Sequence, residues 1–193
     1  MDLVFPAKCL MCGKLPKPIC LECVPELGVF QSSERDFYAT DLSDSVQKIL
    51  SDLKDRNRTA FIPVLANGLA PCLAAAISIT KPDLLICPPS AKRQYQKRGF
   101  NPALEIFVRA NPTSLRVSDS GLKHLRQPLD QRELGFRDRQ LNQSDLYKAK
   151  VRSGRVLLID DVRTTGATLL SAADALLTAG VNVVGTCVLA QRI

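Results

Sequence analysis

An α/β domain with a mostly parallel central sheet, preceded by a small cysteine-rich module, is expected from three features of this 193-residue sequence. The run Val156-Leu157-Leu158-Ile159 is uninterruptedly aliphatic and Val183 to Leu189 is rich in β-branched residues, as in strands buried on both faces of a parallel sheet. Stretches with helical apolar spacing alternate with them, the pattern of strand–loop–helix units. Two Cys-x-x-Cys pairs fall within the first 27 residues.

Residues 1–27 have little periodic apolar pattern, and Pro6, Pro16, Pro18 and Pro25 surround the cysteine pairs. This segment reads as a loop-built module, which leaves 28–193 as the main domain. Cys9, Cys12, Cys20 and Cys23 form two knuckles seven residues apart. Four such thiolates suit one tetrahedral zinc at about 2.3 Å. Gly13 supplies a tight turn, while Lys8, Lys14 and Lys17 supply charge that favours thiolates. A redox pair is the competing reading, but the strand–helix context of a thioredoxin site is missing. With little core of its own, the module is expected to be unfolded without metal.

From Asp41 onward, Leu42, Val46, Ile49, Leu50 and Leu53 recur at helical spacing behind Asp41 or Ser43 as N-cap, and the helix ends near Asp55. Phe61 to Ile79 is a second, mostly buried helix, closed by Lys81-Pro82-Asp83. Leu84 to Cys87 is a short buried strand. A basic loop, Ser90 to Gly99, leads into a helix from Asn101 to Ala110 with Ala103, Leu104, Phe107 and Val108 inward. Residues 111–153 are polar and weakly periodic, and Leu129 to Leu141 is the stretch compatible with a helix. A mobile or partly ordered segment is expected there. The strand Val156 to Ile159 is ended by two carboxylates and a Thr-Thr-Gly turn. A helix from Leu169 to Leu177 stops before Gly180, and Val183 to Leu189 closes the chain as a strand.

Hydrophobic residues make up 46% and charged residues 23%, ordinary for a soluble protein. No charge-free apolar run is read as approaching the roughly 20 residues that cross a bilayer, so no membrane insertion is expected. The start lacks a basic segment followed by a long apolar stretch, and a cytoplasmic location is expected. In that compartment cysteines serve as metal ligands or core fillers rather than disulfides. Cys72, Cys87 and Cys187 lie in apolar runs and read as fillers. His124 stands in a polar stretch and reads as a surface group.

The net charge of +7 is uneven. Residues 92–155 hold fifteen basic and six acidic groups, whereas 1–91 hold nine and ten. The middle third therefore carries the positive surplus, a field suited to a pyrophosphate or a nucleic acid backbone, or simply a solvated face.

The loop after Ile159 has phosphate-binding chemistry. Thr164, Thr165, Gly166, Ala167 and Thr168 lie where a strand turns into a helix, so backbone N–H groups and the helix dipole converge there. Asp160 and Asp161, one step back, are placed to accept from sugar hydroxyls. Four aliphatic residues, two acidic residues and Thr-Thr-Gly-Ala-Thr resemble the phosphoribosyl pyrophosphate signature of type I phosphoribosyltransferases. The resemblance implies that fold, with Asp160 and Asp161 on the ribose hydroxyls and Thr164 to Thr168 on the 5-phosphate.

A second stretch narrows it. Ile86-Cys87-Pro88-Pro89-Ser90, then Arg93 and Lys97-Arg98-Gly99-Phe100-Asn101, resembles the pyrophosphate-side segment of the ComF (ComFC-like, competence) family. On this likeness Ser90, Arg93, Lys97 and Arg98 hold the pyrophosphate, with Lys92 nearby, and Arg98 is placed for a bidentate grip. Gln131, Leu134, Arg139 and Asn142 fit the family's pattern for a mobile loop that covers the diphosphate. That family carries a similar four-cysteine module. Cys87, Lys92, Tyr95 and Arg163 depart from its pattern.

Two functions follow. One is a transferase that moves the phosphoribosyl group, with magnesium, to a nucleobase or amine, its catalytic groups Asp160, Asp161 and Arg98. No nucleobase signature is recognised, and no general base is evident beyond the carboxylates. The other, implied by the ComF resemblance, is a phosphoribosyl pyrophosphate-binding accessory of DNA uptake in natural transformation, touching single-stranded DNA or a helicase. Three Tyr, seven Phe and no Trp offer few stacking platforms for that role.

Overall fold

The aliphatic runs form the middle of a sheet. A computed structural model describes residues 8–9, 11–14, 20, 23, 25, 27–125 and 146–193. The strands are β1 (Phe30–Ser33), β2 (Asp36–Asp41), β3 (Leu84–Ile86), β4 (Arg116–Ser118), β5 (Leu122–His124), β6 (Tyr147–Ala149), β7 (Arg155–Arg163) and β8 (Asn182–Gln191). The helices are α1 (Asp44–Arg56), α2 (Phe61–Thr80), α3 (Lys92–Arg98), α4 (Pro102–Ala110) and α5 (Ala167–Thr178). Six strands make the main sheet in the order β1-β2-β8-β7-β3-β4. Among the described residues, only the β1–β2 pairing in it is antiparallel. β5 and β6 form a separate antiparallel pair.

Along β7 the side chains alternate, because successive Cβ atoms in a strand point to opposite faces. Leu157 and Ile159 join Ile49, Leu53, Leu65, Leu69 and Phe107 of α1, α2 and α4 in one buried cluster. Val156 and Leu158 join Leu169 and Leu176 of α5, together with Leu122 and Tyr147, in the other. The sheet is thus covered on both faces, as continuous apolar strands require.

Local signals set the helix ends. The Ser43 hydroxyl accepts from the Val46 N–H, and Asn57 in the left-handed region closes α1. α2 is free of charged residues over twenty positions, long and apolar enough by composition to cross a membrane. This corrects the reading that no run is that long. In the fold its Leu65, Leu69, Cys72, Leu73 and Ala76 are buried against β2, β8 and α4.

Other expectations are also corrected. The β1–β2 hairpin was not foreseen: β1 is exposed along its length and carries no apolar alternation. The basic loop contains α3, which buries none of its seven residues and so shows no amphipathic signal. α4 is rotated from the expected face: Ile106 is buried in place of Val108, which is 52% exposed. Within 111–153, short strands β4, β5 and β6 occur, while Leu129 to Leu141 lies outside the described residues. β7 does not stop at its carboxylates but runs through Asp160 and Asp161 to Arg163.

Candidate functional site

β7 outruns one of its neighbours. Its pairing with β3 ends at Ile86↔Leu158, whereas its pairing with β8 continues to Arg163↔Gln191. Asp160 and Asp161 therefore stand at the carboxyl end of the sheet, beside the point where Cys87-Pro88-Pro89 leaves β3. Parallel sheets gather ligands at this end.

Alternation sends the two carboxylates to opposite faces. Asp161 is buried and meets Lys54 Nζ, at the end of α1, with each oxygen at 2.8 Å. Asp160 accepts the Asp161 backbone N–H at 2.8 Å. Burial, and then the charge of Asp161, push Asp160 up to about 7, against the lowering effects of that N–H and of Lys54. On the Asp160 side, burial and then the Asp160 charge raise the Tyr147 phenol. Burial, followed by the charges of Asp160, Asp161 and Asp119, raises the Cys87 thiol well above its ordinary value, so this filler stays protonated. Cys72 and Cys187 are likewise buried.

The loop that follows turns from β7 into α5. Thr164, Thr165 and Thr168 are exposed, and Gly166, at φ 76°, starts α5 without a side-chain cap. An L side chain in that left-handed conformation is strained. Thr165 Oγ1 accepts the Ala167 N–H at 3.4 Å, and the first turn holds no acidic residue. Main-chain N–H groups and the positive end of the helix dipole thus open beside the acidic pair.

The residues expected on a pyrophosphate divide. Lys92, Arg93 and Lys97 are exposed on α3, and Ser90 is half-buried. Arg98 turns inward: its Nε donates to the Lys54 carbonyl at 2.7 Å, and Nη2 stands 3.8 Å from Asp55. Lys54 therefore joins Arg98 to Asp161. Gln131, Arg139 and Asn142 lie outside the described residues.

Four residues that sequence reasoning missed, or placed elsewhere, belong to this rim. Lys54 is one. Asn101 caps α4 and donates Nδ2 to the Pro88 carbonyl at 3.2 Å and to Asp119 Oδ2 at 3.5 Å. The Asn-Pro start of that helix was a legible N-cap signal. Asp119 follows β4. His124, expected at the surface, is instead half-buried: its Nε2 is 2.8 Å from the Pro89 carbonyl and its ring lies 4.8 Å from that of Tyr147. Arg163 serves the fold. It binds Gln191, Thr186 at 3.1 Å and Ser32 at 2.6 Å, with Asp36 at 3.5 Å, tying β7 and β8 to the hairpin.

At the amino terminus the sulfurs of Cys9, Cys12, Cys20 and Cys23 lie within 4.8 Å of one another. Four thiolates around one zinc at about 2.3 Å would stand roughly 3.8 Å apart, so the donor set fits that ion. The Gly13 N–H bonds to the Cys9 carbonyl at 2.8 Å and the Cys23 N–H to Cys20 at 3.0 Å, which shapes both knuckles. Burial opposes ionisation of Cys9, yet backbone bonds from Cys20, Cys12 and Met11 lower it to about 6. The Cys20 and Cys12 thiols raise Cys23 to about 12. Such crowding is what a dication relieves.

Residues 39–193 match the family described as the phosphoribosyl transferase domain. The chain belongs to that family. The match starts within β2 and takes in the acidic pair, the turn from Thr164 to Thr168 and α3, and it excludes the four amino-terminal cysteines. No curated protein matches the sequence. Among solved structures the phosphoribosyl transferase domain is similar to an adenine phosphoribosyltransferase from Leishmania tarentolae, at 13% identity and a TM-score of 0.43, over 85% of this chain and 94% of that one.

Proposed function

We propose that the phosphoribosyl transferase domain binds phosphoribosyl pyrophosphate and transfers its phosphoribosyl group to a nitrogen acceptor. One observation carries this reading: the carboxyl pair at the end of β7 directly precedes a helix N-terminus lined with three exposed threonines. The 5-phosphate takes the N–H groups and hydroxyls of Thr164 to Thr168, and the ribose hydroxyls take Asp160 and Asp161. Lys54 holds Asp161 in place while a sugar is bound. Lys92, Arg93 and Lys97, with Ser90 and Arg98, draw the diphosphate to the far side. Magnesium, bound with the diphosphate, would neutralise charge on the leaving group. The carboxylates nearby and the basic side chains fit that anion and its counter-ion. Calorimetry with phosphoribosyl pyrophosphate and magnesium tests the reading. Asp161→Asn and Thr165→Val abolish binding while the fold stays intact, and unchanged affinity in both refutes the roles given.

The four cysteines hold one structural zinc in this reading. The ComF resemblance also supports a cytoplasmic role in DNA uptake, and the exposed Lys92, Arg93, Lys97, Lys123, Lys148, Lys150 and Arg152 favour contact with single-stranded DNA or a helicase carrying it. Retention of a single-stranded oligonucleotide that falls steeply with salt supports that role. Salt-independent or absent retention rejects it.

A further inference from the structure

Two consecutive prolines, Pro88 and Pro89, carry the chain away from β3, and neither has an N–H to give. The main-chain donor just before them, the Cys87 N–H, is spent on the Ser118 carbonyl at 2.9 Å. Pro88 is buried and Pro89 half-buried. The turn therefore holds two carbonyls away from water, where they need partners, and has no amide of its own with which to brace itself.

Two side chains from distant elements supply what the prolines lack. Asn101, the N-cap of α4, donates Nδ2 to the Pro88 carbonyl at 3.2 Å, while its Oδ1 accepts the Leu104 N–H at 3.5 Å. His124, on β5, stands with Nε2 2.8 Å from the Pro89 carbonyl. A carbonyl only accepts, so Nε2 carries the proton, and Nδ1 is buried without a partner among the described residues. The ring packs 4.8 Å from that of Tyr147, its buried cross-strand partner, which fixes its orientation. Asn101 is buried as well. Both donors are thus aimed at the turn in the free protein.

The segment that ends at Asn101 begins at Arg98, whose Nε donates to the Lys54 carbonyl at 2.7 Å. Guanidinium and turn are therefore held at a set spacing, and Ser90 is the first residue past the turn with an N–H. Resting on the proposed transferase function, we infer that Asn101 and His124 are positioning residues that hold the Pro88-Pro89 turn where Ser90 and Arg98 can grip the diphosphate together. Each acts through a carbonyl of the turn rather than on the ligand. Their effect falls on the diphosphate side and spares the 5-phosphate side, which is built on β7 and α5.

The test uses the full chain with magnesium and three ligands: phosphoribosyl pyrophosphate, inorganic pyrophosphate and ribose 5-phosphate, their affinities read by phosphorus NMR titration. Asn101→Asp keeps the cap on α4 and loses the donor. His124→Phe keeps a ring against Tyr147 and loses the donor, whereas His124→Gln returns an N–H near the place of Nε2. Asn101→Asp and His124→Phe are each expected to weaken pyrophosphate and phosphoribosyl pyrophosphate about tenfold, with ribose 5-phosphate within about twofold of wild type. His124→Gln recovers most of the loss. Equal weakening of ribose 5-phosphate, affinities unmoved by the donor-less variants, or a His124→Gln as weak as His124→Phe overturns the inference. Should Asn101→Asp fail to fold, the two His124 variants decide alone. Failure of the wild-type chain to bind phosphoribosyl pyrophosphate or ribose 5-phosphate, measured first, overturns the underlying function as well.

Discussion

Lys54 and Asp161 are 107 residues apart in sequence, yet the ammonium stands 2.8 Å from each carboxylate oxygen. The same residue accepts the Arg98 Nε–H on its carbonyl. One position at the end of α1 thus contacts both Asp161 and Arg98, the groups proposed to face the sugar and the diphosphate. Lys54→Met leaves Asp161 buried without its partner, while the backbone carbonyl that Arg98 uses is retained. The affinity for phosphoribosyl pyrophosphate is expected to fall by about 1–3 kcal/mol, that is, roughly five- to 150-fold, measured by calorimetry. An unchanged affinity would show that Lys54 serves stability alone.

Asp160 gives the site a pH dependence of known sign. Its folded-state value of about 7 is raised above the ordinary 3.8, so the folded chain binds this proton more tightly than the unfolded chain does. The contribution to stability is present below about 4 and is lost as pH rises to about 7. The melting temperature of the free protein should therefore carry a component that declines between those values, and Asp160→Asn should remove it. A decline that persists in the variant would assign the effect to another group.

Arg163 departs from the pattern of the resemblance for a reason visible only in three dimensions. It joins Gln191 of β8 to Ser32 and Asp36 of the hairpin. Arg163→Ala is expected to destabilise the fold by about 2–3 kcal/mol in denaturant unfolding, with the affinity for phosphoribosyl pyrophosphate within a few-fold of wild type. A large loss of affinity at unchanged stability would place Arg163 in the ligand site instead.

Metal removal separates the cysteine module from the turn between β7 and α5. Met11, Cys23 and Leu27 pack against the main core, and the Leu27 side chain lies on Gly68 of α2. Chelation should release one zinc per chain and lower the melting temperature, because this apolar contact loosens, while binding of phosphoribosyl pyrophosphate persists. Release of no metal, or loss of sugar binding on chelation, contradicts the division of roles.

What was legible in the sequence follows from how each signal arises. Val156 to Ile159, Val183 to Leu189, and the helices at Val46 and Leu169 announce themselves because burial on a regular face imposes a period. α3 buries nothing and β4, β5 and β6 have three residues each, too short for any period to show. The turn from β7 into α5 was readable because carboxylates, threonines and Gly166 lie close together in the sequence. Lys54, Asp119 and His124 were not, since each reaches the site from a different element and nothing in its local sequence marks the distant partner. Arg98 was singled out by its neighbours, but its inward turn onto the Lys54 carbonyl depends on where α1 ends.

The central claim is that the turn from β7 into α5 cradles a phosphate beside a carboxyl pair facing a pentose. A crystal structure of the chain with phosphoribosyl pyrophosphate and magnesium tests it most directly. The 5-phosphate should lie within hydrogen-bond distance of main-chain N–H groups between Thr165 and Thr168, with the ribose hydroxyls on Asp160 and Asp161. A bound sugar whose phosphate sits elsewhere, with both carboxylates turned from the ribose, would contradict the account.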